Sequence, residues 1–233
     1  MIKDFKNNGF VVIKKILNQN EVSFLLEEIE LIKKKLKLNK IKNKQYYHLT
    51  NDNKINTIHN IQKFYNSKKL FSLLKKQKLS NILNKILSEK ICIRNLEFFL
   101  KPATTGMASP MHQDNFYWNL KKARGVNVWI ALSNANKKNG GLKYLVGSHK
   151  YGIFTHEISK AKGTSQKVPE NIINKYKFKS NTPNLKRGDC VIHHCEVIHG
   201  SEKNMSNKDR IGVAISFKAV SYTHLTLPTI LLV

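Results

Sequence analysis

The sequence predicts a mainly β fold, a sandwich or barrel, with a helical layer packed on it from the N-terminal side. Apolar residues recur at helical spacing up to about residue 90, and from about residue 91 short β-prone runs alternate with turn residues. Two of those runs pair an apolar face with a small or polar one, as expected of a sheet with a core on one side and a site on the other.

Taken in order, Gly9 to Ile13 (GFVVI) is a short strand after a polar turn. Asn18 or Asn20 can cap the following helix, where Val22, Leu25, Leu26, Ile29 and Ile32 form an apolar stripe. Lys33 to Lys44 is basic and reads as an exposed helix end plus a loop. A second helical stretch over about 67–87 would bury Leu70, Leu73, Leu74, Ile82, Leu83 and Ile86. Strands are expected over roughly 91–100, 126–133, 142–146, 189–198 and 210–219, with Asn139-Gly140-Gly141 as a tight hairpin.

With 233 residues, 41% of them hydrophobic, the chain can build one substantial core. We expect a single domain over residues 1–220, its helical layer about 1–90 and its β core about 91–220. Ser221 to Val233 (SYTHLTLPTILLV) has neither Lys nor Asn and reads as an atypical tail, not native, with the natural C-terminus missing.

The formal net charge is +26, from 41 Lys and Arg against 15 Asp and Glu, and such a charge attracts phosphates, acidic metabolites or anionic surfaces. The cations are nearly all Lys, however, scattered among Asn and Ile as an A/T-biased coding sequence would scatter them. No nucleic-acid-binding motif accompanies them, so the charge reads as compositional and a nucleic-acid partner is disfavoured. Cys92, Cys190 and Cys195 form no C-x-x-C pair, which argues against a disulfide framework and a thiolate zinc site. A reducing, cytoplasmic location is the expectation, with no signal peptide at the N-terminus and no membrane span.

The chemistry-bearing set is His112-Gln113-Asp114, followed by His199 and Arg210. Two imidazoles and one carboxylate can hold one face of an octahedral metal and leave the other open, the ligand set of a mononuclear non-haem Fe(II) oxygenase. If residues 112–114 are extended, His112 and Asp114 project together and Gln113 points elsewhere. Arg210 adds a cation able to clamp a carboxylate co-substrate. In Arg210 to Phe217, one face holds Arg210, Gly212, Ala214 and Ser216, and the other Ile211, Val213, Ile215 and Phe217. Asn127, Trp129, Ala131 and Ser133 alternate likewise with Val126, Val128, Ile130 and Leu132, which suits a barrel enclosing a site. Ser201 shares the face of His199. A lone strand histidine is more often a hydrogen-bonded core residue, and His48, His59, His156, His193 and His194 are assigned there.

The ordered motifs resemble the phytanoyl-CoA dioxygenase (PhyH) family of Fe(II)/2-oxoglutarate oxygenases over about residues 5–220. They run from Asp4-Phe5 and Gly9 to Val12 through Pro110 to Tyr117 (PMHQDNFY), Val128 to Leu132, Asn139 to Leu142, Gly147 to Lys150 and Gly188-Asp189, and end with His199 to Asn204 and Arg210. The resemblance implies a double-stranded β-helix, a cupin-like jelly roll, behind an N-terminal helical layer. It implies His112, Asp114 and His199 as the iron ligands and catalytic centre, with Arg210 and Ser201 binding the distal carboxylate of 2-oxoglutarate and Trp129 lining its pocket. Asn204, His149 and the glycines Gly140, Gly141, Gly147 and Gly188 are read as structural. Related halogenases replace the ligand carboxylate with a small residue, so Asp114 favours hydroxylation. Cys190 and the His193-His194 pair stand where apolar residues are expected, and either disturb packing or tune the site.

The implied activity is hydroxylation of a small molecule using Fe(II), 2-oxoglutarate and O2, with succinate and CO2 released. Asn115, Phe116, Tyr117 and Trp118 are candidate substrate contacts, with wall packing an equal reading for Phe116 and Trp118. The positive charge admits an anionic substrate such as a CoA ester, phosphonate or carboxylate. Alternatives are a non-catalytic cupin-like metal- or ligand-binding module and an oxygenase directed at nucleic acid, which would need Lys striped on one face.

Overall fold

The computed structural model describes residues 1–37, 44–161 and 164–220; the tail read as not native lies outside the described residues, as does most of the loop expected before Lys44. Six α-helices are described: α1 (Ile2–Asn8), α2 (Gln19–Lys37), α3 (Lys68–Leu74), α4 (Gln77–Leu87), α5 (Asp114–Trp118) and α6 (Glu170–Tyr176). Of the two possible caps for α2, Asn18 serves. Its Oδ1 accepts from the Glu21 N–H at 2.9 Å while Glu21 Oε2 accepts from the Asn18 N–H at 2.8 Å, a reciprocal capping box. The expected long helix over 67–87 is two helices. Lys76 leaves helical backbone between them (φ −46°, ψ 133°) and its ammonium pairs with Glu21 of α2.

The strands form two antiparallel sheets and a small ribbon. The larger sheet has the order β1 (Phe10–Ile13), β11 (Cys190–His194), β6 (Gly125–Ala131), β13 (Arg210–Ala219), β4 (Ile91–Lys101), β3 (Ile55–Ile58) and β2 (Tyr47–Leu49). The smaller runs β10 (Ser180–Asn181), β7 (Leu142–Leu145), β12 (His199–Ser201) and β5 (Ser109–His112), and β8 (Glu157–Ile158) pairs with β9 (Gln166–Lys167). This is the expected jelly-roll architecture with flanking helices, but the sheets are open: no closed barrel forms among the described residues. The expected hairpin at Asn139-Gly140-Gly141 is also corrected, because β6 and β7 lie in different sheets and this turn carries the chain between them. Asn136 caps the turn, and Gly140 takes the left-handed backbone it requires (φ 76°).

Period-two alternation sorts the larger sheet into two environments. Leu96, Phe98, Leu100, Val126, Val128, Ile130, Ile192, Val213, Ile215 and Phe217 pack against Val22, Leu25, Ile29 and Ile32 of α2 and against Leu70, Leu74, Leu79 and Leu83 of α3 and α4. Each such apolar side chain contributes about 1.5–3 kcal/mol by leaving water. Cys190 belongs to this core, so it fills space there and neither disturbs the packing nor reaches the site. On the opposite face Phe10, Trp129, Val191 and Ala214 meet Tyr144 and Val197, forming a smaller core beside a cavity. Asp189 ties β1 to β11: its carboxylate accepts from the Lys15 and Lys186 N–H groups, both at 2.9 Å, and pairs with Lys14 at 3.0 Å. Gly188 (φ 88°) makes that turn possible, since a β-carbon there would stand 2.4 Å from the Leu17 carbonyl oxygen.

Candidate metal and co-substrate site

His112 ends β5, and its Cα partner across the ladder is His199 at the start of β12. Their rings lie 4.5 Å apart between centroids. Gln113 is extended (φ −119°, ψ 128°), so Asp114 returns to the side of His112 although it is already the first residue of α5. Gln113 points elsewhere, its side-chain amide donating to the carbonyls of Gly152 and Glu196. One ligand atom from each of His112, Asp114 and His199 falls within 4.8 Å of the others. Asp114 Oδ1 is the oxygen facing the imidazoles, 3.7 Å from His112 Nε2 and 3.8 Å from His199 Nε2.

Local hydrogen bonds aim these groups. His112 Nδ1 lies 2.8 Å from the Pro110 carbonyl, and His199 Nδ1 lies 3.0 Å from the Val197 carbonyl. A carbonyl can only accept, so both Nδ1 atoms carry the proton and both Nε2 lone pairs face Asp114 Oδ1. Asp114 Oδ2 accepts from Asn127 Nδ2 at 3.1 Å and from His193 Nε2 at 3.2 Å. Tyr144 donates its hydroxyl to His193 Nδ1 at 3.0 Å, which completes the chain of donors. Burial and the neighbouring His199 pull His112 down to about 4, and burial and His193 do the same for His199. For Asp114 burial opposes the charge, but His199, His193 and His112 outweigh it and hold the carboxyl below its ordinary range. Neutral imidazoles beside an ionised carboxylate form the donor set a divalent cation requires.

Arg210 begins β13 and is 1% exposed. Its Nε and Nη1 are buried and meet no acceptor among the described residues. Burial pulls its pKa down to about 9, yet an arginine stays cationic at neutral pH. Its guanidinium stands 5.2 Å from the ring of Trp129. Trp129 lies over Gly212, where a β-carbon would be 2.1 Å from the indole. Ser201 faces the same cavity and accepts from Lys101 Nζ at 2.8 Å, and Lys101 is the cross-strand partner of Arg210. The cavity holds about 270 Å³ and is lined by all six predicted site residues, His112, Asp114, Trp129, His199, Ser201 and Arg210.

Sequence reading missed several residues. His193, assigned to ordinary core packing, instead holds Asp114 and lines the cavity, while His194 turns away to pack at a tilt against His149, 5.2 Å between ring centroids. His59 is on the cavity wall, its Nδ1 hydrogen-bonded to Glu97 Oε1 at 2.8 Å. Asn127 had been placed on the site-facing side of its strand without a role. Register supplies it: Asn127 pairs with His193 on one side and Ser216 on the other, which puts these side chains in one row beneath the triad. Of the four candidate substrate contacts, Tyr117 and Trp118 line the cavity. Asn115 does not; it is buried and bonded to Glu196 Oε1 and the Leu120 carbonyl. Phe116 stacks on His156 instead, at 4.1 Å. Asn204 is structural as expected, its amide donating to the carbonyls of Lys101, Pro102 and Lys208.

The family model for phytanoyl-CoA dioxygenase (PhyH) matches residues 5–212. The chain belongs to the PhyH family. Phytanoyl-CoA dioxygenase domain-containing protein 1 of Danio rerio is 30% identical over 138 residues, 57% of this chain and 47% of that protein. The match to its Bos taurus counterpart spans 42% of that relative, so this PhyH chain aligns with somewhat less than half the length of each. Peroxisomal phytanoyl-CoA dioxygenase of Homo sapiens is 25% identical over 224 residues, covering 92% of this chain and 66% of the human protein.

Among solved structures, EctD from S. alaskensis with bound Fe superposes with a TM-score of 0.77 at 19% identity, covering 94% of this chain and 76% of EctD. EctD has also been crystallised with 2-oxoglutarate and 5-hydroxyectoine. The carbocyclase SnoK from nogalamycin biosynthesis, described as non-haem and α-ketoglutarate-dependent, gives a TM-score of 0.73 at 18% identity over 94% of this chain and 82% of SnoK. At these identities the likeness shows a shared fold. No helix among the described residues is long and apolar enough to cross a membrane.

Proposed function

We propose that this PhyH-family chain is an Fe(II)/2-oxoglutarate-dependent oxygenase that hydroxylates a small molecule, with O2 as oxidant and succinate and CO2 as co-products. The observation that carries the reading is Arg210. A guanidinium with Nε and Nη1 buried and unpartnered, in the same cavity as a His/Asp/His cluster, calls for an anionic ligand beside the metal. Residues 1–220 form the proposed oxygenase domain, and the free thiols of Cys92, Cys190 and Cys195 suit a reducing compartment, for which we propose the cytoplasm.

His112, Asp114 and His199 would hold the iron, which with 2-oxoglutarate and O2 supplies an oxidant able to hydroxylate a C–H bond. The protein's own part is orientation. The carbonyls of Pro110 and Val197 fix both imidazole tautomers, and Asn127 and His193 occupy Asp114 Oδ2, which leaves Oδ1 to the metal. Arg210 supplies a fork of donors for the far carboxylate of 2-oxoglutarate. Lys101 donates to Ser201 Oγ, so the Ser201 hydroxyl proton is free to turn toward that carboxylate. Trp129 walls the pocket and excludes water beside Arg210.

The test is anaerobic addition of Fe(II) and 2-oxoglutarate, followed in the visible range. A metal-to-co-substrate charge-transfer band is expected in the wild type and absent from His112→Ala; no band, or the same band in both, would sink the oxygenase reading. With a turned-over substrate, the product should be heavier by one oxygen atom. A product without added oxygen would overturn hydroxylation while leaving the cofactor assignment standing.

A further inference from the structure

Strand β4 changes phase along its length. From Asn95 to Lys101 it alternates regularly: Leu96, Phe98 and Leu100 enter the helix-facing core while Asn95, Glu97 and Phe99 line the cavity. Upstream the parity reverses, and Ile91 and Ile93 pack against that same core. The switch is a β-bulge. Ser216 of β13 pairs with Asn95 and Phe217 pairs with Ile93, so Arg94 has no cross-strand partner. In a regular strand Arg94 would share the face of Leu96 and drive its guanidinium into the apolar core at heavy cost. The bulge turns it to the cavity instead, and Arg94 lines the wall next to Asn95.

Once there, the Arg94 guanidinium stands 5.2 Å over the ring of Trp118. No hydrogen bond or ion pair holds it among the described residues. Asp114 and Glu97 act on it only through space, and both are already engaged, Asp114 with Asn127 and His193, Glu97 with His59 at 2.8 Å. Arg94 and Arg210 are also well separated. Arg94 adjoins the Ser216 end of β13, and positions 210 and 216 are roughly 20 Å apart along an extended strand. Asp114 is tied to Asn127, the cross-strand partner of Ser216. His199 lies two residues before Ser201, which accepts from Lys101, the cross-strand partner of Arg210, so the triad sits between the two arginines, with Arg94 on the side away from the anchor proposed for 2-oxoglutarate.

We propose that Arg94, with Trp118 as its platform, binds an oxyanion of the primary substrate, a carboxylate or phosphate, so that the substrate is an anionic small molecule. This rests on the oxygenase reading above. The cavity of about 270 Å³ is small beside typical ligand pockets, so the charged end and the reacting carbon together make a compact head.

The test loads the protein anaerobically with Fe(II) and saturating 2-oxoglutarate, which fills the Arg210 end. Equilibrium dialysis then compares small carboxylates and phosphate monoesters with their neutral amides and alcohols. The expected result is that at least one anion binds roughly tenfold or more tighter than its neutral partner. Arg94→Met should erase that preference while keeping the visible Fe(II)/2-oxoglutarate band and the 2-oxoglutarate titration of the wild type. Arg94→Lys should retain part of it, and this variant serves if the methionine variant does not fold. The proposal is overturned if no anion binds, if anions and neutral partners bind alike, or if Arg94→Met keeps the preference. Absence of the band in the wild type would be a different failure, that of the oxygenase reading itself, and the proposal would fall with it.

Discussion

His193 Nε2 lies 3.2 Å from Asp114 Oδ2, on the oxygen turned away from His112 and His199. That bond, with the one from Asn127, decides which oxygen of Asp114 faces the two imidazoles. His193→Ala should therefore weaken Fe(II) or Co(II) binding by about 10–100-fold, the usual cost of losing a partner that orients a ligand. His193→Gln, which can still donate, should recover part of the loss. Metal titration of the three proteins checks this, and an alanine variant that binds as tightly as the wild type would remove His193 from the site's machinery.

Arg210→Met should separate stability from function. The buried guanidinium has unpartnered Nε and Nη1 atoms, so removing it relieves an uncompensated charge. The variant without 2-oxoglutarate is expected to melt higher than the wild type and to gain nothing when 2-oxoglutarate is added, whereas the wild type rises with it. Arg210→Lys keeps the charge but loses the fork, and should bind 2-oxoglutarate roughly tenfold or more weakly with metal affinity unchanged. Thermal melts and co-substrate titrations decide both points.

Gly212→Ala tests the close approach of Trp129. A methyl group at 212 meets the indole at 2.1 Å, so the ring must move off β13 into the cavity proposed to hold 2-oxoglutarate. Overpacking of this kind costs about 1–3 kcal/mol. The 2-oxoglutarate KM should rise together with the loss in Tm, and the second substitution Trp129→Phe should restore part of the stability. If Gly212→Ala leaves both unchanged, the ring is not held where the structure puts it.

The metal-free protein should lose stability in acid through the two histidines proposed as ligands. In the folded state His112 and His199 titrate at about 4, whereas unfolded imidazoles titrate near 6.5. Between those values the unfolded chain takes up protons that the folded chain refuses, so stability falls as pH drops from about 6.5 toward 4. Denaturant midpoints measured across that range should decline steadily, and a flat profile would contradict the burial of these rings.

Much of this architecture was legible in local pattern. Alternation in residues 210–217 and 126–133 sorted core from cavity correctly, because in a strand the side a residue faces depends on its own parity alone. The same rule, applied to Ile91, Ile93, Leu96, Phe98 and Leu100, contains a break in phase that marks the bulge at Arg94, a signal present in the sequence and passed over. The barrel and the hairpin at Asn139 were misjudged for a different reason. Whether two strands pair, and whether a sheet closes, depends on contacts between distant segments that no local pattern records.

By itself, then, the sequence determined the strand faces, the helical layer and, through the resemblance of its ordered motifs, the family. Tertiary structure alone decided the rest. It made His193 a support for Asp114 because the register of β11 on β6 sets it beside Asn127, and it left Arg210 Nε and Nη1 without a partner among the described residues. It also aimed Arg94 into the cavity through one unmatched residue in the ladder between β4 and β13. These are relations between groups far apart in the chain, and they exist only once the sheets have paired in a single register.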